Sequence, residues 1–149
     1  MITVGEADAL AKRAHGCDRT RSGSLFIDHV RRVAARFGED DDRDAVAAAL
    51  LHDSVEKGWM AWSDLRAAGA DERLIEVVDA LTQRDGELEL QYLDRCVADP
   101  LALRIKRVDI ADKLDPRSVA TLNDHDRNVV HRRAHDRLTL LEELAAQPR

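Results

Sequence analysis

The stretch Phe26-Ile27-Asp28-His29-Val30-Arg31-Arg32-Val33-Ala34-Ala35-Arg36-Phe37 decides how the chain is to be read. Its apolar residues Ile27, Val30, Val33, Ala34 and Phe37 recur at intervals of three and four, so a helix gathers them on one face and leaves the charged residues on the other. The same period returns in Leu74, Val77, Val78 and Leu81, and again in Ala134, Leu138, Leu141 and Ala145. Alternating apolar and polar positions, the mark of strands, are absent. The punctuation agrees with helices. Gly38 is expected to close the first of them and Gly69 a short one near Leu65, while Asp99 and Pro100 form an N-cap and a first helical position. Pro116 limits the helix that Pro100 opens. The expected fold is all-α, a single helical domain over residues 1–149, without internal repeats or long linkers.

Composition sets the outer limits. The chain has 149 residues, 44% hydrophobic and 35% charged, which is enough for one core. Its apolar runs are broken by charge well short of the roughly 18 residues that a bilayer span requires. Glu6 and Asp8 stand where a secretory leader would be basic and then apolar, so the expected compartment is the cytoplasm and no membrane partner is expected. Basic residues number 23 against 29 acidic ones, a net charge of -6, and aromatics make up 3%. That balance argues against nucleic acid as a partner, because neither a broad basic surface nor stacking platforms are supplied. Cys17 and Cys96 show no zinc or disulfide spacing. The acidic run from Glu39 to Asp44 reads as complementing and capping the start of the helix Ala45 to Leu51.

Chemistry enters where ionisable groups take positions that the helical period reserves for apolar ones. His29 lies three residues after Phe26 and four before Val33; His52 lies seven after Ala45 and four after Ala48; Asp109 lies seven after Ala102 and four after Ile105. Each is expected to point inward. Burying such groups without partners costs on the order of 1–3 kcal/mol each, and a shared metal ion gives them a common reason. Asp53, next to His52, can reach the same ion. Two imidazoles and two carboxylates suit manganese or iron, with zinc as a further alternative. Taken alone, each position also has a plainer reading: an inward His as a core residue, Asp109 paired with Arg104 or Lys106.

These segments, in order, carry a resemblance. Ala14-His15-Gly16 through Ser22-Gly23 to Phe26-Ile27-Asp28-His29, then Leu50-Leu51-His52-Asp53-Ser54-Val55-Glu56, then Asp79-Ala80-Leu81-Thr82, then Ile105-Lys106-Arg107-Val108-Asp109, resemble the HD-domain phosphohydrolases. The closest likeness is to the RelA/SpoT type with its small stand-alone SpoT-like hydrolases, from about Ala7 to Leu122. The resemblance implies an HD-type helical bundle and manganese-dependent removal of the 3′-pyrophosphate from ppGpp. It implies His29, His52, Asp53 and Asp109 as metal ligands, with Asp112 as second choice for the last of them. It also implies Glu56 as the residue that activates or positions water, and Arg21 as a contact to the bound nucleotide.

Two positions depart from the family pattern. Lys57 stands where the family has the second acid of a Glu-Asp pair, and Lys113 stands where it has a sugar-contacting Asn. Both add positive charge that would favour a polyanionic small molecule, so Lys57 and Lys113 are expected with Arg21 as substrate contacts. An ion pair from Lys57 to Asp53 is a further expectation. The first functional expectation is a metal-dependent phosphohydrolase acting on a nucleotide phosphoester or pyrophosphate. The alternative, motivated by the two lysines, is a metal- and nucleotide-binding sensor without turnover; a purely structural helical module is the third. His131 and His135 on the last helix read as a solvated face, Trp59 and Trp62 as packing residues, and Arg19 and Arg117 as loop arginines.

Overall fold

Eight helices and no strand make up the computed structural model, which describes residues 1–149. They are α1 Val4–His15, α2 Phe26–Ala34, α3 Ala45–Leu51, α4 Trp62–Ala67, α5 Glu72–Ala80, α6 Glu89–Ala98, α7 Pro100–Asp112 and α8 Asp124–Ala145. The all-α expectation holds.

Local chemistry sets most boundaries. Thr3 and Glu6 exchange hydrogen bonds in a capping box that starts α1. Asp71 Oδ1 accepts from Leu74 N–H at the start of α5, Asn123 Oδ1 accepts from Asp126 N–H at the start of α8, and Asp99 Oδ1 accepts from both Leu101 and Ala102 ahead of Pro100. Gly69 follows α4 with φ +96°, a conformation that a side chain would resist.

Two expectations need correction. The helix containing His29 ends at Ala34, well before Gly38; Arg36 and Phe37 donate to Val33 and Ala34 in tighter turns, which carry Phe37 into the core without a helix beneath it. The acidic run does not cap α3. Asp44 occupies the N-cap without a side-chain cap bond, while Asp42 Oδ1 accepts from Asp44 N–H, and Asp41 accepts from Gly38 N–H and pairs with Arg104. The acids are consumed by loop turns and an ion pair.

Helix α3 is the hub. Six of its seven residues, all but Val46, are buried, and it packs against α1, α2, α5 and α7. A helix apolar on every side belongs at the centre of a core, and its small alanines let four neighbours approach. One hydrophobic cluster of 35 buried residues runs through the molecule. No helix is long and apolar enough to cross a membrane. Because α3 is central, the residues at its C-terminal end, His52 and Asp53, emerge between α2 and α7.

Candidate metal centre

Three elements deliver four side chains to one point: His29 from α2, His52 and Asp53 from the end of α3 and the turn after it, and Asp109 from α7. One ligand atom from each lies within 4.8 Å of all the others. His29 Nε2 is 3.1 Å from Asp109 Oδ1 and 3.7 Å from Asp53 Oδ2. His52 Nε2 is 3.4 Å from each of those two oxygens. The imidazoles are 1% and 0% exposed, while Asp53 and Asp109 keep 13% and 11% of their side-chain surface, so the carboxylates form the cleft-facing side of the cluster.

Three of the four side chains, His29, His52 and Asp109, are aimed by a bond to their other polar atom. His52 Nδ1 is 2.6 Å from Ala49 O, a carbonyl that can only accept, so Nδ1 keeps a proton and Nε2 is the nitrogen that offers a lone pair once the ring gives up its second proton to a metal. His29 Nδ1 is 2.7 Å from Asp112 Oδ2, which Arg32 grips in turn through Nε at 2.8 Å to Oδ1 and Nη2 at 3.0 Å to Oδ2. Lys106 Nζ holds Asp109 Oδ2 at 2.8 Å and leaves Oδ1 to the imidazoles. Of the two aspartates weighed for the fourth position, Asp109 is in the cluster and Asp112 stands behind His29. The plainer pairing of Asp109 with Lys106 also exists, on the other oxygen, while Arg104 goes to Asp41.

The electrostatics describe a site that gathers positive charge. Burial opposes charge on His52, yet the neighbouring carboxylates of Asp53 and Asp109 push its pKa up to about 9. Burial opposes it on His29 too, and the bonds to Asp109 and Asp112 raise that group as well. Burial works against ionising Asp109, but Lys106 and the two imidazoles hold its carboxyl well below the usual range. Asp53 is lowered despite its burial, chiefly by His52. Protons on the imidazoles thus do what a divalent cation would do. The donors fit one: nitrogen and oxygen only, mutually close, with a buried His52 Nε2 that has no well-formed hydrogen bond.

The cluster lies in the wall of a cleft of about 730 Å3. Arg21, Glu56, Lys57 and Lys113 line the same cleft as His29, Asp53 and Asp109, while His52, the fourth member of the cluster, is fully buried and does not line it. Glu56 Oε1 accepts the backbone N–H of Gln83 at 2.6 Å. Lys57 makes no ion pair with Asp53, whose carboxylate is turned inward to the imidazoles; its ammonium lies 5.6 Å from the Phe26 ring centroid. Arg133 and Arg137 of α8 also line the cleft, and sequence reasoning missed them. Their spacing of four was the available signal, but α8 is so polar that nothing marked which of its faces looks inward. His131 is half-buried with Nε2 unpartnered, not fully on a solvated face as expected, and His135 is exposed; neither joins the cluster. Trp59 packs against Phe26 and His15.

No protein-family model matches the chain. A curated protein of Oryza sativa subsp. japonica, described as "Putative GTP diphosphokinase RSH1, chloroplastic", is 46% identical over 54 residues, which is 36% of this chain and 6% of that protein. Part of the chain is therefore similar to an RSH (RelA/SpoT) protein, and the chain accounts for a small fraction of that relative's length.

Proposed function

We propose that the chain is an HD-type, metal-dependent phosphohydrolase of the RelA/SpoT kind, acting on a nucleotide phosphoester or pyrophosphate, with ppGpp as the leading substrate. The observation that supports this reading most is the convergence of His29, His52, Asp53 and Asp109 within 4.8 Å at the wall of a cleft. The partial similarity to an RSH protein points the same way.

In this reading His29 Nε2, His52 Nε2, Asp53 and Asp109 hold a divalent cation, manganese first, with iron or zinc as alternatives. Such a cation supplies Lewis acidity toward a phosphoryl oxygen and lowers the pKa of bound water. The protein's own residues do the rest. Asp112 and the Ala49 carbonyl keep both imidazoles with Nε2 forward, and Lys106 keeps one oxygen of Asp109 turned away. Glu56 lines the same cleft as the carboxylates and accepts a proton from, or orients, the attacking water once it gives up the Gln83 N–H. Arg21, Lys57 and Lys113 line the cleft and neutralise phosphate charge.

The second reading is a metal- and nucleotide-binding sensor without turnover. One observation favours it: the Glu56 carboxylate is engaged by Gln83 at 2.6 Å, and its neighbour is the cation Lys57. The two readings separate in one assay, release of phosphate or pyrophosphate from ppGpp with added manganese. Turnover by the wild type that vanishes in Asp53→Ala supports the hydrolase. Nucleotide binding without turnover, with turnover gained in Lys57→Asp, supports the sensor. Absence of both binding and turnover removes ppGpp from either reading.

A further inference from the structure

We propose that a second cavity, beside α2 and separate from the metal-centred cleft, is a binding site for a phosphate group. This inference goes beyond the hydrolase reading and does not rest on it. The cavity measures about 630 Å3 and shares no lining residue with the cleft. Its charged lining is Arg19, Arg31, Arg32 and Arg117 against one carboxylate, Asp28. Asp28, Arg31 and Arg32 share a flank of α2 because they are three and four residues apart, while Arg19 and Arg117 come from loops on either side.

The guanidinium groups are already paired, Arg32 in a largely buried bond and Arg31 and Arg117 at the surface, and still have donors to give. Arg31, Arg32 and Arg117 each spend Nε and Nη2 on one carboxylate, Asp8, Asp112 and Asp115 respectively. Arg19 spends Nη1 on Gly23 O. None of those three carboxylates lines the cavity. They hold the planar groups from outside, as supporting residues do around a preorganised site. The Nη1 groups of Arg31, Arg32 and Arg117, with Nε and Nη2 of Arg19, have no protein partner. Four guanidinium groups lining one cavity against a single carboxylate leave more donors than Asp28 could accept from, and suit the several oxygens of a phosphate.

A second observation is independent of the arginines. Ser118 lines this cavity at 1% exposure, and its Oγ is buried without a hydrogen-bond partner. An unpaired buried hydroxyl is unfavourable; the oxygen is closed to water, so a phosphate oxygen would accept from it after a small shift of the side chains that cover it. The walls are also drawn together by construction: a Cβ at Gly23, where φ is +85°, would lie 2.8 Å from Thr121 Oγ1.

The group could arrive as free phosphate or on a phosphomonoester, so both are used as probes. The full chain, freed of metal by chelation, is titrated calorimetrically with inorganic phosphate and with ribose 5-phosphate. Three proteins are compared: wild type, the pair Arg19→Ala with Arg117→Ala, and the cleft pair Arg21→Ala with Lys57→Ala, each checked for helical content by circular dichroism. A saturable binding event that weakens about tenfold or more in the Arg19/Arg117 pair and persists in the cleft pair, whatever further phosphate binding the cleft pair loses, supports the site. Tighter binding of ribose 5-phosphate then identifies a phosphomonoester as the ligand, and equal binding identifies free phosphate. No saturable binding of either probe, or loss confined to the cleft pair, overturns the proposal. Because no metal and no turnover are involved, that failure leaves the hydrolase reading untouched.

Discussion

Asp112 Oδ2 lies 2.7 Å from His29 Nδ1, on the side of the ring opposite the Nε2 that faces Asp109 and Asp53. The carboxylate fixes the tautomer and makes Nε2 more basic, while Arg32 fixes the carboxylate. Asp112→Asn keeps the size and an acceptor but removes the charge. Manganese affinity, measured by titration, is expected to fall about 10- to 100-fold with the helical content unchanged. An unaltered affinity would show that Asp112 has no hold on the centre.

Metal binding should stabilise the fold, because the four donors converge only in the folded chain. At a concentration of about 100 times Kd, manganese contributes roughly 2.7 kcal/mol, or roughly 5–10 °C in Tm for a chain of this size. Chelator should reverse the shift, and His52→Ala should abolish it. A shift of equal size in His52→Ala would place the stabilising ion elsewhere.

Lys106 is buried, with its ammonium 2.8 Å from Asp109 Oδ2 and 5.0 Å from the Tyr92 ring centroid. Burial alone would discharge it, but Asp109 raises its pKa. Lys106→Met leaves the carboxylate without its buried partner, and a loss of about 3–5 kcal/mol is expected in chelated protein. Manganese should restore part of that loss, since it replaces the missing positive charge. Urea denaturation with and without manganese reads the difference; an identical loss in both conditions contradicts the account.

His15 lies at the end of α1, fully buried, stacked 5.1 Å from Phe26 and edge-on to Trp59, with neither ring nitrogen hydrogen-bonded. Burial pushes its pKa down to about 4 from the ordinary 6.5, against the pull of Asp53. Between those values the unfolded chain takes up a proton that the folded chain refuses. The contribution of neutral His15 is therefore whole above pH 6.5 and is lost as pH falls toward about 4. His15→Phe should flatten this part of the stability curve relative to wild type, measured by denaturant melts across the window. Parallel curves for the two proteins would assign the acid limb to other groups.

Much of the candidate site was legible before any coordinates. His29, His52 and Asp109 stood out because a 3.6-residue period puts them on faces otherwise apolar, and burying a polar group demands a reason. Arg133 and Arg137 did not stand out, since on a long polar helix the inward direction is set by what it packs on. The ion pair expected between Lys57 and Asp53 does not form for a related reason: their spacing of four suits a helix, but the chain there is in turns and the Asp53 carboxylate faces the imidazoles.

By itself, then, the sequence determined the helical class, the Asp99 cap ahead of Pro100, and which polar side chains must leave solvent, because periodicity and local hydrogen bonding act over a few residues. Only the tertiary structure decided that Asp109 joins the cluster while Asp112 supports His29 from behind, and that Ala49 O aims His52 and Lys106 holds the other oxygen of Asp109. The two aspartates differ by one helical turn and are chemically identical. What separates them is the position of α2 across from α7, a relation between residues about 80 apart in the chain that no local pattern encodes.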